Sequence, residues 1–96
     1  MRRSAPPLWY RLAAGALEIG GVHAGRGDRI AALANLTQAV LATAQGRLAQ
    51  AGEWALNEKR IVERAGLDAA QALLSGAEPT AIRDGLGELL DLPAWR

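Results

Sequence analysis

The chain has 96 residues, 11 Lys and Arg against 10 Asp and Glu, a net charge of +1 at neutral pH, and no Cys. That length holds one small domain, the interspersed charge gives no field to steer nucleic acid or an anionic membrane, and the lack of Cys excludes a disulfide framework, a thiolate metal site and a Cys nucleophile. Half of the residues are apolar, yet 21 of those are Ala and none is Phe, so the expected core is thin and the domain marginal on its own.

Arg2 and Arg3 have the charge of a signal-peptide start, but Arg11 and Glu18 interrupt the apolar run behind them, and no stretch approaches the roughly 20 apolar residues of a membrane span. A cytoplasmic chain without a membrane partner is the expectation. Residues 1–7 read as a disordered or extended segment, because Pro6-Pro7 stops an earlier helix and sets a start near Leu8. From there Leu8, Leu12, Ala16, Ile19 and His23 recur at spacings of three and four, the stripe of an amphipathic helix. Gly20-Gly21 weakens this helix and Gly25-Arg26-Gly27 closes it.

Asp28 then caps a second helix running to about Ala51, with Gly52 as terminator. Ile30, Leu33, Thr37, Val40, Ala44, Leu48 and Ala51 form its helix–helix seam, while Arg29, Gln38, Gln45, Arg47 and Gln50 fall largely off it. The Gly-rich turn makes the two helices an antiparallel hairpin, and their many Ala residues allow a close approach. Asn57 is the expected N-cap of a third helix over Glu58 to Ala65, ended by Gly66. Asp68 caps a fourth through Leu74, closed by Gly76. Pro79-Thr80 opens a fifth whose face is Ile82, Leu86, Leu89 and Leu90, and residues 92–96 form a tail that can dock on the bundle. The predicted fold is all-α: one domain over residues 1–96, a small helical bundle of a hairpin and three shorter helices.

The densest chemistry lies at Trp54, Asn57, Glu58, Lys59 and Arg60. One reading is a solvated helix face, with Lys59 and Glu63 paired at i,i+4 and Arg60 and Arg64 mildly repelling. The other is a cleft surface, because Lys59 and Arg60 near a helix N-terminus favour an anion such as phosphate. Trp54 reads either as a staple that anchors the third helix to the core or as a stacking surface, and Asn57 as a cap or a polar contact. His23 is the single histidine, so a multi-His metal site cannot be assembled from this chain. It reads most simply as a C-terminal cap or a partly buried packing residue, and the direction of Glu18 is undecided. No P-loop and no Asp-x-Asp pair is present to hold Mg²⁺ for phosphoryl transfer.

The run Ala-Gln-Ala-Gly-Glu-Trp54, then Ala-Leu-Asn57-Glu58-Lys59-Arg60, then Arg64-Ala-Gly-Leu67 resembles the C-terminal helical domain of nucleotidyltransferase-domain proteins. These belong to the polymerase-beta-like superfamily, together with kanamycin nucleotidyltransferase. The resemblance covers most of residues 8–75, and its specific part is residues 54–67. It implies a truncated or split accessory domain that contributes substrate-cleft or dimer contacts and is inactive alone. Asn57, Glu58 and Lys59 would then face an interdomain cleft, Lys59 meeting nucleotide phosphates and Trp54 shaping the wall. The catalytic domain would be the partner and would supply Mg²⁺ and nucleotide, with no cofactor held by this chain. The alternative is a freestanding helical interaction module that pairs with itself or another protein through its Ala/Leu face.

Overall fold

The computed structural model describes residues 5–52 and 60–92, and every regular element among them is helical. Helix α1 spans Ala5–Gly25, α2 Arg29–Gln50, α3 Ile61–Arg64, α4 Ala69–Leu74 and α5 Pro79–Leu90. The expected all-α plan is therefore present, a long hairpin followed by three shorter helices. Its start is earlier than expected. Residues 5–7 belong to α1 and not to an extended segment, because Pro is accommodated in a first turn whose N–H groups have no partner within the helix. The expected docking tail lies, apart from Leu92, outside the described residues.

Two glycines turn the chain where the sequence marks them. After α1, Gly27 adopts φ +78°; its N–H donates to the Ala24 carbonyl at 3.1 Å and the Asp28 N–H to the His23 carbonyl at 3.0 Å. This pair of bonds closes a helix with a left-handed residue. Asp28 at once begins α2, its Oδ1 accepting the Ala31 N–H at 3.2 Å. The same closure ends α3: Gly66 has φ +75°, its N–H donates to Glu63 at 2.9 Å, and the Leu67 N–H reaches Val62 at 2.8 Å. That turn delivers Leu67 into the core, where it is fully buried.

The core gathers Leu17 of α1, Leu36, Val40, Ala44 and Leu48 of α2, then Ile61, Leu67 and Ala70, and finally Ile82, Leu86 and Leu90 of α5. The face expected for α5 is correct, with Leu89 half-buried at its edge. The seam expected for α2 holds for Val40, Ala44 and Leu48 but not nearer its start. There Leu36 and Ala39 are buried, Leu33 is half-buried, and Ile30 and Thr37 are exposed; at the other end Ala51 is exposed as well. The reason is that α2 packs against α1, α3 and α5 together, so its buried surface is broader than a single seam and turns towards Leu36.

For α1 the expected stripe is the wrong face. Ala13, Leu17, Gly20 and Ala24 are buried, while Leu8, Leu12 and Ile19 are about half exposed and Ala16 and His23 lie between. Close approach explains the inversion. A Cβ on Gly20 would stand 2.7 Å from Leu36 Cδ2, and one on Gly46 2.6 Å from the Tyr10 ring. At these two contacts a small residue on one helix makes room for a large side chain of the other.

Polar clips complete the packing. Arg47, half-buried, donates from Nη1 to the Ala65 carbonyl at 3.3 Å and from Nη2 to Leu90 at 3.2 Å and Leu89 at 3.5 Å. One guanidinium thus satisfies carbonyls at the C-terminal ends of α3 and α5, where a cation also complements the helix dipole. Arg29 similarly holds the α4–α5 turn, through Ala77 at 2.8 Å and Gly76 at 3.1 Å. Asp68, expected to cap α4, makes no side-chain capping bond.

Candidate functional site

Of the residues singled out in the sequence, Trp54, Asn57, Glu58 and Lys59 lie outside the described residues. Arg60 is described, and it is not part of a helix over Glu58 to Ala65. Its backbone is left-handed at φ 64°, which breaks the helical path and puts the start of α3 at Ile61. Its Nε donates to Glu63 Oε1 at 2.9 Å in an exposed i,i+3 pair. That hydrogen bond and charge hold the Glu63 carboxyl below its usual value and raise Arg60 further. Glu63 is therefore partnered by Arg60, and the four-residue α3 is too short to offer an anion a substantial dipole.

A different surface emerges from the packing. Because mostly small residues of α1 face α2, its large aliphatic residues other than Leu17 are turned outward. Leu8 is 54% exposed, Leu12 53%, Ile19 50% and Val22 49%. At about 100° per residue, this stripe and the buried one are centred roughly 150° apart. A groove of about 620 Å³ runs between the stripe and α2. Trp9, Leu12 and Ile19 of α1 line one wall, Gln38, Leu41 and Gln45 of α2 the other, and Ile61 also reaches it. The lining is largely apolar, with the amides of Asn35, Gln38 and Gln45 and the Arg11 side chain as its polar groups, the composition of a contact surface more than of a reaction centre.

Near the open end of the hairpin Tyr10 donates its hydroxyl to Gln50 Oε1 at 2.7 Å. Burial pushes that hydroxyl above its ordinary value of 10.0, and the Arg47 charge opposes the shift. The arrangement ties α1 to α2. Among the described residues no three His, Asp or Glu side chains gather as a metal site, and no helix is long and apolar enough to cross a membrane.

Sequence reasoning misses the groove although it singles out the residues that border it. Leu8, Leu12 and Ile19 carry the strongest helical periodicity of α1, and strong periodicity is ordinarily the sign of a core face. The signal that could have found it is the competing stripe of Ala13, Gly20 and Ala24, which has the same spacing and less bulk. Compared with known proteins, the chain matches no family model, no curated protein and no solved structure.

Proposed function

We propose that this chain is a helical protein-interaction module whose contact surface is the outer face of α1 and the groove beside it. The observation that carries the reading is the row of Leu8, Leu12, Ile19 and Val22, each about half exposed along one face of a well-packed helix. Isolated surface leucines are ordinary, whereas a contiguous row beside an apolar groove marks a surface that another chain covers. The form of this reading suggested by the nucleotidyltransferase resemblance makes the covering surface a catalytic domain, which would supply Mg²⁺ and nucleotide. That form rests on residues 54–67 alone.

The test is a photo-crosslinking amino acid placed at position 12 or 38 in cells, with position 71 on exposed α4 as the control. The expected result is a discrete adduct from the first two positions, identified by mass spectrometry and lost on Ile19→Glu in a chain that still folds. No discrete adduct at positions 12 and 38, or the same adduct at 71, would reject the reading.

A further inference from the structure

The outward face of α1 has an internal order that the interaction reading does not require. Leu8, Leu12, Gly15, Ile19 and Val22 succeed one another at intervals of four, three, four and three, the spacing of a seam between two helices. The seam is about 21 Å long at 1.5 Å rise per residue, with Gly15 at its midpoint. Leu8 and Val22 lie seven residues to either side, Leu12 three before and Ile19 four after, so reversing the direction superposes Leu8 on Val22 and brings Leu12 within one residue of Ile19. Exposed Arg11 and Glu18 lie on the same edge of the seam, four residues before its centre and three after it.

Gly15 itself needs an explanation. A glycine within a helix costs about 0.5–1 kcal/mol relative to Ala. For Gly20 and Gly46 the reason is internal, since a Cβ would collide with Leu36 or Tyr10; at Gly15 nothing lies within 4 Å. Among the described residues nothing requires a small residue there. A second backbone crossing the middle of the seam would.

We infer that the partner on this face is a second copy of the chain, packed with its α1 antiparallel to the first across a two-fold axis at Gly15. The inference rests on the interaction-module reading and narrows it to self-association. In this arrangement Arg11 of each copy meets Glu18 of the other, twice by symmetry, and Gly15 meets Gly15 at the axis, as an isologous interface requires. A parallel pairing would instead set Arg11 beside Ala16, with no opposite charge facing it across the seam.

Sedimentation equilibrium of the full chain tests it. The chain is expected to associate to twice its 10.1 kDa mass, and Leu12→Glu to return it to monomer with its helical circular dichroism intact. Arg11→Glu and Glu18→Arg should each weaken association roughly fivefold, because two symmetry-related pairs of modest surface energy turn repulsive. The double variant, with the charges exchanged, should recover the parent affinity. Should Leu12→Glu unfold the chain, the charge exchange remains decisive, because it alters only exposed side chains. A monomer at all concentrations overturns the inference, as does a dimer indifferent to the single charge reversals. A monomer that still gives a discrete adduct with another protein from position 12 removes the self-pairing and leaves the interaction reading standing.

Discussion

Helix α1 presents two faces of opposite construction. One carries Ala13, Leu17, Gly20 and Ala24 and is buried; the other carries Leu8, Leu12, Ile19 and Val22 and is half exposed. The bulk is on the outside. This is not the distribution of a helix whose only task is to complete a core, because burying the larger side chains would remove more apolar area from water. What fixes the inner face is proximity: Gly20 sits against Leu36, and Gly46 against Tyr10, at distances that leave no space for even a methyl group. Side chains of each helix seat on a glycine of the other, and the aliphatic surface this leaves outside is the one proposed to meet another chain.

If that contrast is right, substitutions divide sharply by face. The largest effect is expected at Leu36, fully buried in the hairpin contact. Leu36→Ala should lose about 2–5 kcal/mol in urea denaturation. Next comes Arg47, whose guanidinium bonds three carbonyls at the ends of α3 and α5. Arg47→Met keeps the aliphatic stem and should lose about 1–3 kcal/mol, the cost of leaving partly buried acceptors unmet.

One substitution made on both faces sharpens the comparison. Gly20→Ala forces a Cβ against Leu36 and should destabilise by about 1 kcal/mol or more despite its better helix propensity, whereas Gly15→Ala meets open space and should stabilise the monomer by about 0.5–1 kcal/mol. Opposite signs in thermal melts would separate the faces; equal signs would not.

The smallest of these effects is in pH. Burial raises the Tyr10 hydroxyl above 10.0, so the folded state holds this proton more firmly than the unfolded chain. The resulting stability is fully present below pH 10 and is lost as the pH rises through the folded value. Tyr10→Phe should remove that part of the alkaline decline, measurable by melting across pH 9–12.

Several helix ends are legible in the sequence, and so is the face of α5, whereas the buried faces of the two long helices are not. Gly27, Asp28, Gly52, Gly66 and Pro79 act through their own backbone, so their meaning is local: left-handed φ at the three glycines, a cap at Asp28, a fixed φ at the start of α5. Which stripe of α1 turns inward depends on α2, and of two stripes with identical spacing bulk alone points to the wrong one. The buried face of α2 departs from its expected seam near the start for a related reason, since it serves three neighbours at once. Arg47 reads as surface because its acceptors are 18 to 43 residues away. Nothing in the sequence marks Arg60 as left-handed, because non-glycine residues seldom adopt that backbone. The expectations for Trp54, Asn57, Glu58 and Lys59 fall outside the described residues.

The claim that the outer face of α1 serves a partner and not the fold is tested most directly by urea denaturation of the monomeric chain at low concentration. Leu12→Gln combined with Ile19→Gln should leave the unfolding free energy within about 0.5 kcal/mol of the parent, while Leu17→Ala on the inner face should lower it by about 2 kcal/mol or more. If the outer pair costs as much as Leu17→Ala, the large residues of α1 hold the fold, and the account of two faces is contradicted.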